Sequence, residues 1–170
     1  ETQKCEAILQ AWYPGQQGGK AVAEVLFGDY NPAGKLPVTF YRNVSQLPDF
    51  EDYNMTGRTY RYMQDVPLFP FGYGLSYTTF GYGKTVLDKN ELTAGQSLKL
   101  TVPVTNTGKR NGEEVVQVYL RKQGDAEGPI KTLRAFKRVS IPAGKTVNVE
   151  FDLKDKELEW WDAQSNTVRV

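Results

Sequence analysis

Paired carboxylates at Glu51 and Asp52, a third at Asp29, and glycines at 15, 18 and 19 ahead of an apolar helix pattern are the residues closest to a chemical motif. Two carboxyl groups about 5 Å apart can hydrolyse a glycosidic bond with retention, one as nucleophile and one as acid and base. Glu51 and Asp52 are neighbours in sequence, however, and no motif sets either across from a partner. Solvated or capping roles account for them, and Asp29 sits in a turn. The glycines could gather backbone N–H groups around an anion at a helix N-terminus. Their spacing matches neither GxGxxG nor a phosphate loop with its Lys-Ser/Thr, so the signal is weak. Trp160 and Trp161 face opposite ways if they lie on a strand. One is then core, and the other is free to stack on a sugar or on a neighbouring domain.

Composition removes other chemistries. The 170 residues contain no His and one Cys, Cys5. That excludes Ser-His and Cys-His nucleophile pairs, His-ligated metals, an internal disulfide and a thiolate zinc cage. Lys+Arg is 21 and Asp+Glu 20, a net charge of +1, which offers no footprint for nucleic acid or an anionic membrane. No apolar run approaches the roughly 18 residues of a membrane span, and no leader pattern opens the sequence. No catalytic, cofactor-binding or metal-ligating residue is assigned, and no cofactor is expected.

The elements that would have to position these residues differ along the chain. Of 21 aromatic residues, 16 lie in residues 1–85 and ten of those between Phe50 and Tyr82. This points to two units meeting near Gly81 to Asp88. In the first, Glu6 to Trp12 reads as a buried strand, broken by Tyr13-Pro14-Gly15. Ala21, Val22, Val25 and Leu26 form one apolar helix face that Gly28 ends. Leu36 to Phe40 reads as an edge strand because of Pro37. One helix and two strands cannot enclose a core, so residues 1–45 call for partner elements outside them. Residues 46–87 read as an aromatic connector. Pro67, Pro70, Gly72 and Gly74 forbid a continuous helix there, and Phe69, Phe71, Tyr73 and Tyr77 supply interdomain packing, with a sugar platform as the alternative.

Residues 88–170 read as an antiparallel β-sandwich. Leu98 to Val104, Val116 to Leu120 and Val147 to Leu153 alternate apolar and polar residues. Thr132 to Val139 and Glu159 to Trp161 are weaker strands. The expected core includes Leu100, Val102, Val104, Val116, Val118, Val149 and Phe151. A candidate at Thr167 to Val170 stops as it starts, so the sandwich is expected to lack its last strand. The fold class is therefore an α+β fragment: the remnant of an α/β sandwich followed by an antiparallel β-sandwich.

Three long stretches, in order, carry a resemblance. Ala7 to Phe40, with Trp12-Tyr13-Pro14-Gly15-Gln16-Gln17-Gly18-Gly19 and Gly28-Asp29-Tyr30-Asn31-Pro32-Ala33-Gly34-Lys35-Leu36-Pro37, closely resembles the end of the second catalytic-core domain of glycoside hydrolase family 3. Pro67 to Phe80, with Phe69-Pro70-Phe71-Gly72-Tyr73-Gly74-Leu75-Ser76, resembles its connector. Val104 to Gly108, Gly112 to Tyr119 and Leu133 to Val139 resemble its C-terminal fibronectin type III-like domain. The resemblance implies a parent built from a barrel, an α/β sandwich and this last domain, acting as an exo-acting retaining β-glycosidase. Residues 1–45 would end the α/β sandwich, 46–87 would connect, and 88–170 would be the fibronectin type III-like domain.

The family's nucleophile is an Asp in a Ser-Asp context, which does not occur here. Its acid/base Glu lies in many members in a Glu-Gly-x-Asp-Arg type stretch. The one Glu-Gly here, Glu127-Gly128, precedes Pro129 in the wrong domain. No catalytic residue is carried over, so the chain itself is expected to be inactive and structural. Its partners would be the upstream catalytic domains of the same protein, and the parent's substrate a β-linked oligosaccharide; neither nucleic acid nor membrane is expected. Gly57-Arg58-Thr59-Tyr60-Arg61 looks more like β-xylosidase members than β-glucosidase members, which remain the alternative. Arg58 and Arg61 would otherwise be interdomain salt-bridge donors. A free-standing carbohydrate-binding or scaffold module is the third reading, disfavoured because Ala7 to Phe40 would serve no purpose on one. A periplasmic or secreted location follows for the parent.

Overall fold

The computed structural model describes residues 5–162, 165 and 167–169. In chain order its elements are α1 (Gly18–Phe27), a short 3-10 turn (Val44–Gln46), α2 (Thr59–Tyr62), β1 (Phe80–Tyr82), β2 (Val86–Leu87), β3 (Leu98–Asn106), β4 (Gly112–Leu120), β5 (Thr132–Ile141), β6 (Thr146–Leu153), α3 (Asp155–Leu158), β7 (Trp160–Asp162) and β8 (Thr167–Arg169).

The period-two pattern of the second half becomes two facing layers. β3 is the hub of the first. β6 runs antiparallel along one edge of it, from Leu98↔Leu153 to Thr105↔Thr146. β1 and β2 share its other edge, with Phe80 opposite Asn106 and Val86 opposite Thr101. The second layer is the β4–β5 pair, and β7 pairs with β8. Side chains in phase on the inner faces form one cluster: Leu100, Val102, Val104, Val116, Ile141, Val149, Phe151 and Leu153. Fully burying each such side chain stabilises by about 1.5–3 kcal/mol, which is why the apolar phase sets the register. Val118 packs against this cluster but stays half-buried. The pairing shifts there: Val118 faces Ala135 and Tyr119 faces Leu133, leaving Arg134 as an extra residue in β5. Such a bulge twists the strand and re-aims a side chain. The expected strand at Thr167 to Val170 corresponds to β8, with Val170 outside the described residues.

The first half is organised differently. α1 starts where the ring of Pro14 presses on buried Gly18; a Cβ at Gly18 would lie 2.4 Å from Pro14 Cβ. Gly28, at φ +84°, ends the helix in the left-handed region, its N–H donating to the Val25 carbonyl at 3.1 Å. Glu6 to Trp12, expected as a buried strand, forms no strand and is exposed throughout. No described strand lies beside it to satisfy its backbone, and an unpaired segment leaves its N–H and C=O groups to water. Leu36 to Phe40, expected as an edge strand, is reduced to one bridge, Phe40 with Phe69. Its partner is the aromatic stretch itself: the Leu36 N–H donates to the Tyr73 carbonyl at 2.8 Å and the Gly72 N–H to the Leu36 carbonyl at 2.7 Å. Residues 46–87, read as a connector, contain the single turn α2 and end in β1 and β2 of the first layer.

Candidate functional site

The residues nearest to a catalytic motif are spent on local structure. The Glu51 N–H donates to Asp49 Oδ1 at 3.2 Å, and Asp52 Oδ1 accepts from the Asn54 N–H at 2.9 Å and the Asn54 side-chain amide at 2.8 Å. Those Asn54 bonds, with a smaller contribution from nearby Arg58, hold the Asp52 carboxyl below its ordinary value. A turn-stabilising carboxylate of this kind stays ionised and is a poor proton donor. Gly15 and Gly19 have open space where a Cβ would stand, and Gln17 at the start of α1 makes no side-chain cap. Among the described residues no group of three or more Cys, Asp and Glu side chains could hold a metal ion.

What the chain does assemble is a seam between its halves. Tyr60 of α2 stacks on Phe71, with centroids 4.1 Å apart and planes at 16°. Both rings meet Tyr119 of β4 edge-on, at 6.0 and 6.5 Å. The Lys131 ammonium lies 4.8 Å above the Tyr119 ring. Phe69 stacks on Tyr73 at 5.6 Å and meets Phe40 edge-on at 6.4 Å, and Phe40 in turn touches Trp12 at 6.3 Å. Each aromatic pair adds about 0.5–1.5 kcal/mol beyond the area it buries. Two glycines let the backbone come close enough. A Cβ at Gly72 would lie 2.4 Å from Gln117 Oε1, and one at Gly74 would lie 2.0 Å from the Gly34 carbonyl oxygen.

Polar ties fix the seam's register. Lys35 Nζ lies 3.2 Å from Glu114 Oε2 and donates to the Gly74 carbonyl at 2.8 Å. Both side chains are nearly dry, with relative exposures of 16% and 9%. Glu114 also accepts the Tyr82 hydroxyl at 2.9 Å. Burial, reinforced by that carboxylate, pushes the Tyr82 phenol well above its ordinary value. Burial does the same, more mildly, to Tyr119, helped by neighbouring Tyr60. At the far end of the seam, Asn31 Oδ1 accepts from the Ser76 hydroxyl and the Tyr77 N–H, both at 2.8 Å, while its Nδ2 donates to the Asn111 carbonyl at 3.0 Å. The Tyr77 hydroxyl donates to the Val25 carbonyl at 2.7 Å. Arg138 bonds both Glu113 and Tyr30. The two units are thus tied at several separate places by side chains distant in sequence.

Among the described residues Arg58 and Arg61 do not form the salt bridges expected of them. The Arg58 guanidinium donates to the backbone carbonyls of Asn54, at 2.9 Å, and of Asp49 and Asp52. Arg61 lies over the Tyr62 ring at 5.7 Å, and its Nε is buried without an acceptor. Between them Thr59 sits at φ +56°, a conformation that is a strained outlier for a β-branched residue. Trp160 is half-buried under the Lys122 ammonium at 5.2 Å, with its indole N–H unpaired, while Trp161 is exposed.

Sequence reasoning missed Lys35, Glu114, Asn31 and Asn106. A signal existed for two of them. Glu114 is in phase with Val116, and Asn106 with Val102 and Val104, so each polar group had to enter the dry face and find partners there. Asn106 does so by accepting the Thr78 hydroxyl at 2.7 Å and donating to the carbonyls of Arg110 at 2.7 Å and Ile141 at 2.9 Å.

Comparison with known proteins places both sides of the seam in known domains. Residues 1–77 match the glycosyl hydrolase family 3 C-terminal domain and residues 114–170 a fibronectin type III-like domain. The whole chain is 58% identical to a xylan 1,4-β-xylosidase of Xylanibacter ruminicola, covering 19% of that protein. It is 40% identical to a periplasmic β-glucosidase of Salmonella typhimurium, with 96% of the chain aligned to 23% of that protein. A solved β-glucosidase from Erythrobacter marinus superposes with a TM-score of 0.83 at 44% identity, over 99% of this chain and 23% of that one. The chain therefore spans about a fifth of the length of the curated relatives it matches.

Proposed function

Because the chain belongs to glycoside hydrolase family 3, of which it carries the end of the C-terminal domain and the fibronectin type III-like domain, we propose that it is the non-catalytic, structural C-terminal part of an exo-acting retaining β-glycosidase, a β-xylosidase. Under this reading residues 1–45 complete an α/β sandwich whose other elements lie upstream. The aromatic segment from residue 46 crosses to the fibronectin type III-like domain, residues 88–170, which takes in the two short strands before it. The seam's task is mechanical: it holds one domain at a fixed angle against the other. The upstream catalytic domains of the same protein are then its partners, a β-linked oligosaccharide is the parent's substrate, and the periplasm or the exterior is its place of work.

One observation carries the reading. The chain aligns end to end with a xylosidase while covering 19% of it, and of the adjacent pair Glu51 and Asp52 the Asp52 carboxylate is engaged in a turn, accepting from Asn54. Retaining hydrolysis needs a nucleophile and an acid/base facing one bond, and the family's motifs for both are absent from these residues. The preference for xylose rests on the 58% identity and on Gly57-Arg58-Thr59-Tyr60-Arg61. A β-glucosidase parent is the second reading, favoured by the 44% identity to the superposing β-glucosidase. Release of nitrophenol from nitrophenyl β-xyloside and β-glucoside tests both levels. The full-length protein should turn over the xyloside faster, and the 170-residue chain neither. Turnover by the chain, abolished by replacing one of its own Asp or Glu residues, would overturn the structural role; preference for the glucoside would overturn the xylosidase assignment alone.

A further inference from the structure

A cavity of about 960 Å³ opens where α2 and the loop after β4 meet β7. Its volume is that of a small-molecule site. Three N–H donors on its lining are buried without an acceptor: Arg61 Nε, Arg134 Nε and Trp160 Nε1. Buried donors left unpaired are rare in folded proteins and call for an explanation. Both arginines line the cavity from backbone irregularities. Arg134 is the extra residue of the β5 bulge, and Arg61 follows Thr59, held at φ +56°. Neither arginine has a carboxylate partner among the described residues; Arg134 Nη2 donates to the Glu159 carbonyl and Arg61 lies over Tyr62. At the rim the Trp161 ring is 59% exposed.

We propose that this cavity binds a carboxylate-bearing saccharide, a uronic acid. Two guanidinium groups and an indole N–H are donors only, so the ligand must bring acceptors, and a planar carboxylate matches guanidinium geometry. The four basic residues of the lining are offset by Asp125, Glu127, Glu159 and Asp162. A site of balanced charge favours a monoanion over phosphate, and sugar hydroxyls can donate to acidic groups that a bare anion would meet with repulsion. The exposed Trp161 ring offers a face for the CH patch of a pyranose.

The test uses the 170-residue chain with ¹⁵N-labelled tryptophan side chains, titrated with sodium D-glucuronate, D-glucose and sodium acetate. The Trp160 indole N–H resonance should move saturably with glucuronate as it gains an acceptor, while that of Trp12 stays. Glucose and acetate should bind at least tenfold more weakly, and Arg61→Gln and Arg134→Gln should each weaken glucuronate at least tenfold. If Arg134→Gln disturbs the fold, seen as collapse of the Trp160 signal before ligand is added, the Arg61→Gln titration decides alone. No saturable shift, equal binding of acetate or glucose, or unchanged affinity in Arg61→Gln would overturn the site.

Discussion

The two halves of the chain treat apolar residues in opposite ways. From Phe80 onward the strands bury a continuous cluster, with Val104 and Ile141 fully inaccessible. Before residue 80, Gly18, Ala33 and Thr78 alone are buried among the described residues. Tyr13 is 100% exposed, Phe50 93% and Tyr53 90%. The first half nevertheless holds a defined path, because rings and polar ties anchor it to β4 and to the loop after β3. A segment can thus be ordered on one side by its neighbour while its other side waits for a partner. Exposed apolar surface on this scale marks an interaction face, and here it lies on the part of the chain that resembles the end of an α/β sandwich and on the connector that follows it.

The comparison can be broken most severely at the buried ion pair. Glu114→Ala leaves Lys35 charged in a dry site and frees the Tyr82 hydroxyl. Loss of one partner from such a pair costs about 3–5 kcal/mol, so denaturant unfolding should show a fall of that order. Glu114→Gln should cost less, since it still accepts from Tyr82.

A smaller effect is expected in the rings. Tyr73 is partly exposed and stacks on Phe69. Tyr73→Ala in the full-length protein should lower stability by about 1–2 kcal/mol and leave KM within about twofold. A large rise in KM with unchanged melting would make the seam a sugar platform instead.

The smallest effect sharpens the picture by its pH dependence. Tyr82 in the folded chain holds its proton more tightly than an ordinary phenol. Its neutral form is therefore favoured by folding. The stability this contributes is intact below about pH 10, the ordinary phenol value, and is lost as pH rises through the higher folded value. Melting temperature should fall more steeply above pH 10 in the parent chain than in Tyr82→Phe. At neutral pH that variant should lose about 1 kcal/mol, for one hydrogen bond. Parallel curves would show that burial and Glu114 together do not raise the Tyr82 phenol.

Much of the sandwich was legible because alternation is a local signal: Leu98 to Val104 and Val147 to Leu153 announce β3 and β6. β5 was weaker, since Phe136, Lys137 and Arg138 are all exposed and the bulge at Arg134 breaks its phase. Glu6 to Trp12 misled for a physical reason: an apolar run states that a segment can be a buried strand, but whether it becomes one depends on a neighbour. The seam was visible as an aromatic-rich stretch, with Gly72 and Gly74 read as breaks that forbid a helix; their close approach to Gln117 and Gly34 is a matter of the fold. Its polar ties were not. Lys35 and Glu114 are far apart in sequence and meet only through the fold, and nothing near either names the other. The cavity donors Arg61, Arg134 and Trp160 were hidden for the same reason.

Hydrogen exchange on the 170-residue chain tests the central claim, that residues 6–40, although the seam sets their path, need further polypeptide for stable protection. Amides across residues 6–40 should exchange fast while those of residues 98–104 and 115–121 are protected, and the fast set should become protected in the full-length protein. Equal protection of both regions in a verified monomer of the chain would contradict the account.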